Sequence, residues 1–304
     1  MEKKMTIEQV NLALARKRTK EKVLKIVAQV FIYFVLALMY APLVYIAIFS
    51  FTKNKVAGAW SGFSFENYTT LFNPSGNKIA GDIWRAAGNT VVVALVSATI
   101  SVILGTLGAI GMYYTRKKWI RSSLEFVNQI PVVNAEIVTA VSLCVLFVIF
   151  AKLFGMERSF LTLVIGHVVL SIPYVVMSVK PKLEQMDPSL YEAAMDLGAT
   201  QTQALFKIII PDIVPGILSG FLLAVTLSLD DFVITAFTKP TSGGFDTIST
   251  YVDAQTAKGG LPTQLRAFTT ILFAIILIVM VVMNIRSSRI AKTFLKKQEV
   301  KKNV

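Results

Sequence analysis

The sequence predicts an all-α, polytopic membrane protein with six transmembrane helices, and three observations carry that prediction. Of 304 residues, 54% are hydrophobic and 16% are charged, which leaves too little polar surface to cover a soluble globule. Six apolar runs are each long enough to cross a bilayer core at about 1.5 Å of rise per residue. Finally, 22 of the 31 Lys and Arg residues fall in segments 1–27, 113–125, 180–212 and 286–304, leaving 9 in the alternate segments. That asymmetry places both termini in the cytoplasm. The net charge of +13 is thereby explained by membrane orientation, with no nucleic-acid partner required.

Taken in order, residues 1–26 form a basic cytoplasmic lead-in containing Arg16, Lys17 and Arg18. The six-span domain follows over 27–285, and a basic tail occupies 286–304. The first span runs from about Val27 to Phe51 and lacks a small-residue cleavage site after a short apolar core, so it reads as an uncleaved span. Residues 52–88 form the longest loop, where Phe65, Tyr68, Leu71 and Phe72 predict a short amphipathic helix packed on the protein's own spans. The second span, about Thr90 to Tyr113, carries Ser97, Ser101, Gly105 and Ala109 every fourth residue, a stripe that lets another helix approach closely. The third runs from about Phe126 to Phe150 with Pro131 and Glu136. The fourth, about Leu161 to Val179, holds His167, the sole histidine, and Pro173. The fifth is expected over about Ile213 to Thr235 and the sixth over Phe268 to Ile285. The single cysteine, Cys144, lies in an apolar run and reads as a buried free thiol; it offers no disulfide framework or cysteine-rich metal site.

Between the fourth and fifth spans lies the stretch with the most local order, DPSLYEAAMDLGATQTQALFKIIIPDIVP. Asp187 followed by Pro188 starts a helix, because a carboxylate accepts from orphan amides and proline is tolerated at the first helical position. Leu190, Ala193, Ala194 and Leu197 share one face, with Glu192 and Asp196 off it. Gly198 supplies a left-handed stop. Thr200 and Gln203 form a capping-box pattern for a second short helix, which Pro211 is expected to end.

Glu192, Ala193 and Ala194, with Gly198 and Ile208-x-Ile210-Pro211 beyond, resemble the EAA loop of ABC importer permeases, with Ile210 where that family usually has Leu. The resemblance implies the ABC importer type I permease fold. It also makes 184–212 a coupling loop, with Glu192, Ala193, Ala194, Asp196, Gly198 and Pro211 engaging a separate cytoplasmic ATPase. The chain has no Gly-x-x-x-x-Gly-Lys-Ser/Thr phosphate loop, so any ATP hydrolysis belongs to a partner subunit, and no cofactor is expected.

The fifth span carries a second small stripe, Gly216, Gly220, Ala224 and Ser228, followed by Asp230 and Asp231. A carboxylate inside a membrane span usually faces a cavity or a partner. Adjacent helical residues point about 100° apart, so the two acids share a direction only if the helix breaks there. One or both could instead cap a broken helix or pair with an arginine. The run from Ser228 to Ile234 is similar to the fifth span of spermidine/putrescine importer permeases of the C type. The likeness extends to Asn67-Tyr68, Asn89-Thr90, His167 through Pro173 and the EAA loop. It implies polyamine cargo, an ATPase dimer, a second permease subunit, an extracytoplasmic polyamine-binding protein, and residence in a bacterial inner membrane. Asp230, Asp231 and Glu136 become candidates for the substrate path, Glu136 serving equally well as a structural hydrogen-bonding group. His167 is expected to bond across helices. Two rivals stay open: an ABC permease for another small solute, and a gradient-driven carrier, for which no inverted repeat is visible. Membrane enzymology would need a cluster of catalytic groups that the sequence does not offer.

Overall fold

The computed structural model describes residues 7–278 apart from 55, 57, 156 and 242, together with 281, 282 and 285. The predicted tail 286–304 and part of the sixth span lie outside these residues. Twelve helices and no strand occur among the described residues. Five helices are long and apolar enough to cross a membrane, and Thr263–Ile278 adds a shorter apolar one. The chain divides into two compact units, residues 1–77 with 261–304, and residues 78–260.

The first unit contains α1 (Ile7–Phe49), α2 (Glu66–Leu71) and the Thr263–Ile278 helix. Its loop is organised by Asn67, whose side-chain amide donates to the carbonyls of both Ser50 and Thr52 at 2.7 and 2.8 Å. One amide thus satisfies two acceptors that turn away from the end of α1. Tyr68 meets the Ser50 hydroxyl at 2.7 Å, and Phe51, Phe63, Phe65 and Tyr68 form an aromatic cluster. The predicted amphipathic helix is therefore present, with Leu71 buried while Phe65 and Phe72 stay exposed.

The second unit holds α3 (Lys78–Tyr114), α4 (Lys118–Val133), α5 (Glu136–Phe154), α6 (Phe160–Gln185), α7 (Pro188–Asp196), α8 (Gln201–Ala204), α9 (Ile210–Asp230), α10 (Val233–Thr238) and α11 (Ile248–Ala257). Its core is built where α3, α6 and α9 meet, around Ala109, Val175, Val179, Leu183, Ile213 and Ala224. Both small-residue stripes lie in this core: Ser97, Ser101, Gly105 and Ala109 on α3, and Gly216, Gly220, Ala224 and Ser228 on α9, are all buried. Each stripe admits α6. A methyl added at Gly105 would stand 2.7 Å from Val175 Cγ1, and one at Gly216 would stand 3.0 Å from the Ser178 carbonyl. Because that second obstacle is backbone, Gly216→Leu should lower the stability of the detergent-solubilised chain by about 1–3 kcal/mol. Gly111→Ala, where an added methyl meets nothing within 4 Å, should melt like the parent; a normal melting curve for Gly216→Leu would refute the packing.

Two spans depart from the sequence expectation. The third is not one helix: α4 ends at Val133 and α5 begins at Glu136, with Asn134 and Ala135 both in extended backbone. The fifth does not continue to Thr235, because α9 ends at Asp230, Asp231 is extended, and α10 restarts at Val233. Cys144 is a free thiol but only half-buried, 3.9 Å from the Arg158 guanidinium.

The remaining correction concerns Pro211, which does not end the second short helix. After α8 the backbone makes one π-helical turn over Leu205–Ile209 and runs directly into α9. The proline falls at the first turn of α9, where its missing amide costs little, and the widened turn absorbs the register change.

Candidate functional site

The α7–α8 hairpin is capped as its residues require. The Asp187 carboxylate accepts from the Ser189 amide at 3.0 Å, and this bond holds its pKa below the usual carboxylate value. α7 closes with the Gly198 amide donating to Met195 O and the Ala199 amide to Ala194 O, both at 3.0 Å, while Gly198 takes φ +86°. The capping box at Thr200 is complete: its amide donates to Gln203 Oε1 and its hydroxyl accepts from the Gln203 amide. Of the predicted apolar face only Ala194 is turned inward. Glu192, Ala193 and Asp196 are exposed, as are Leu190 and Leu197, the latter 90% so. A leucine left this bare at the tip of a well-capped hairpin is unspent hydrophobic surface. The hairpin is held to the core by Tyr191, which packs against Tyr114 at the end of α3 with ring centroids 5.7 Å apart and planes tilted by 49°.

The second feature is the break in the fifth span. Asp231 is 5% exposed, and its carboxylate accepts from the Ile234 amide at 3.0 Å, the Thr235 amide at 2.8 Å and the Thr235 hydroxyl at 2.7 Å. It caps α10, satisfying amides that a helix start inside a membrane leaves orphaned. The Thr235 hydroxyl gives its only proton to Asp231, so it receives one from His167 Nε2 at 3.0 Å. His167 Nδ1 then accepts from the Ser228 hydroxyl at 2.8 Å, and Ser97 lies 3.2 Å beyond. The Ser249 hydroxyl closes the group on the Asp231 carbonyl. Five helical elements thus meet on one fully satisfied polar chain. His167 bonds across helices as the sequence suggests; its partners, more than sixty residues away, carry no local signal beyond the break itself.

Asp230 is different. It is exposed and has no ion-pair partner among the described residues. Thr226 and Ser219, also exposed, lie one and about three turns back on the same face of α9. Glu136 is exposed as well, in the first turn of α5, and α5 packs against α10. The breaks in the third and fifth spans therefore lie near one another, with the three carboxylates singled out from the sequence close enough to interact electrostatically. Among the described residues no three His, Cys, Asp or Glu side chains are grouped to hold a metal ion.

Asn89 and Thr90 hold the loop that precedes α11. The Asn89 amide donates to Asp246 O at 2.9 Å, and the Thr90 hydroxyl accepts from the Ile248 amide at 2.9 Å, tying α3 to the start of α11.

Comparison with known proteins places this geometry. Residues 102–297 match the model for binding-protein-dependent transport system inner membrane components. The chain is 33% identical over 79% of its length to the putrescine transport system permease protein PotI of Escherichia coli K12, covering 83% of that protein. It is 32% identical over 83% of its length to the spermidine/putrescine transport system permease protein PotC of Haemophilus influenzae, covering 92% of it. The fold is shared with a solved bacterial ABC transporter involved in the import of the acidic polysaccharide alginate, at TM-score 0.62 and 15% identity, over 88% of this chain and 97% of the other. With its packed spans, capped hairpin and family match in agreement, the chain belongs to the binding-protein-dependent transport system inner membrane component family.

Proposed function

We propose that this chain is the C-type permease subunit of an ATP-driven importer of polyamines, lying in a bacterial inner membrane with both termini cytoplasmic. The observation that carries the cargo is the meeting of two broken spans at Asp230 and Glu136, exposed carboxylates with no ion-pair partner among the described residues. A linear polycation supplies the positive charges such a site lacks, and broken helices commonly line substrate sites within membranes. The relatives named for putrescine and spermidine transport support the same reading.

In this reading the α7–α8 hairpin seats in a cleft of a cytoplasmic ATPase dimer. Exposed Leu190 and Leu197 supply apolar contact, Glu192 and Asp196 polar contact, and Ala193 close approach. A second permease subunit completes the path, and an extracytoplasmic binding protein delivers the cargo. ATPase closure then moves the hairpin and switches the spans between outward and inward access.

The test is uptake of radiolabelled putrescine by cells expressing the chain with its neighbouring subunits, with and without excess unlabelled spermidine. Competed, ATP-dependent uptake is expected. ATP-dependent assembly without polyamine uptake would keep the family and reject the cargo.

A further inference from the structure

In the second unit, the helices α3, α4 and α6 enclose an open groove of about 530 Å³. Gly111 and Thr115 of α3, Leu124, Val127 and Pro131 of α4, and Ile172 of α6 line it, and Asn128 is the one other polar side chain there. Glycines make the groove: an added methyl at Gly111 would meet nothing within 4 Å, and one at Gly108 only Val176 at 4.0 Å. An apolar trough of this kind on a membrane-spanning unit suits an acyl chain.

The charge at its mouth narrows the occupant. Thr115 is followed directly by Arg116, Lys117 and Lys118, all exposed and without an ion-pair partner among the described residues. The neighbouring acids are already engaged: Glu125 holds Arg121 at 3.0 Å and Lys180 at 2.7 Å, and Glu184 holds Arg121 at 3.3 Å and Lys180 at 3.8 Å. That four-residue network is neutral, so three cations remain in surplus at the groove's end. Trp119, 80% exposed, stands beside them as an aromatic at headgroup level would.

We propose that the groove between α3, α4 and α6 binds an anionic phospholipid, one acyl chain lying along Gly108 and Gly111 and the phosphate held by Arg116, Lys117 and Lys118. The same network of Arg121, Glu125, Lys180 and Glu184 fastens α4 to the end of α6 just before Asp187, so the lipid packs against the helix that leads into the docking hairpin. The inference does not depend on the cargo. It uses only the groove, the surplus charge and the membrane character of the chain.

The experiment is native mass spectrometry of the assembled transporter, released in gentle detergent and equilibrated with equal amounts of palmitoyl-oleoyl phosphatidylglycerol and phosphatidylcholine. The wild-type chain is expected to retain phosphatidylglycerol preferentially. Each basic residue near a membrane surface contributes about a fivefold gain in binding to anionic lipid, so R116Q/K117Q/K118Q should lower that retention on the order of a hundredfold. Gly111→Leu, which fills the groove where space is open, should abolish retention with all three cations intact. Equal retention of both lipids, or undiminished phosphatidylglycerol on the triple variant, overturns the proposal. So does a photo-cross-linker at Val127 that captures a protein segment in place of lipid.

Discussion

Gly198→Val should abolish substrate uptake while the chain remains in the membrane at its normal level. Gly198 has φ +86°, a region where β-branched residues are genuine outliers, and forcing one there costs on the order of 1–3 kcal/mol. A methyl at this position meets nothing within 4 Å, so the damage is to backbone direction and not to packing. The hairpin would relieve the strain by re-aiming α7, which carries Glu192, Ala193 and the bare Leu197 away from their present arrangement. The spans, whose core lies in α3, α6 and α9, have no reason to unfold. Gly198→Asn, a residue that tolerates the left-handed region, should keep a substantial part of the activity. The measurement is uptake normalised to membrane-resident protein, and wild-type transport by the valine variant would sink the coupling assignment.

The second large effect separates two neighbouring acids. Asp230→Asn should lower polyamine uptake roughly tenfold, the equivalent of losing about 1.4 kcal/mol of cation attraction, with no change in the amount of folded subunit. Asp231→Asn should reduce the amount of folded subunit itself. Its carboxylate receives three donors in a buried setting, and an amide nitrogen in place of one oxygen would face donors with a donor, leaving a buried group unsatisfied at about 1–3 kcal/mol. Glu136→Gln should behave like Asp230→Asn. Immunoblotting of membranes beside uptake assays distinguishes the two classes; unchanged uptake in the Asp230 and Glu136 variants would remove both from the path.

The parts legible in the sequence are those written in local spacing. The stripes ending at Ala109 and Ser228 needed only small residues every fourth position, and both are buried against α6. Asp187, Gly198 and the Thr200–Gln203 box are short-range devices, and each is formed. Pro211 misled because the proline signal says that a helix cannot continue unchanged, and it does not say that a π turn can absorb the fault. The third span carries polar punctuation in Asn128, Gln129, Pro131, Asn134 and Glu136, but none of it says where the helix breaks, because the packing of α5 on α10 is a tertiary contact with no local signal. The same holds for His167, visible from sequence as an isolated group but not as the junction of Ser228 and Thr235.

The π turn at Leu205–Ile209 also fixes how movement travels. Since it replaces a loop, Gln201–Asp230 is one uninterrupted helix of 30 residues, about 45 Å long at 1.5 Å per residue. The π turn and Pro215 are where such a rod can bend; the rest of it carries a displacement along its length. Pivoted at the hairpin, a rotation of roughly 5° would sweep its far end through about 4 Å, given that length, and the far end is Asp230. On the reading proposed above, a push at the hairpin becomes an ångström-scale relocation of a negative charge at the other end of the helix. Its stroke is set by helix length and by the angle of rotation.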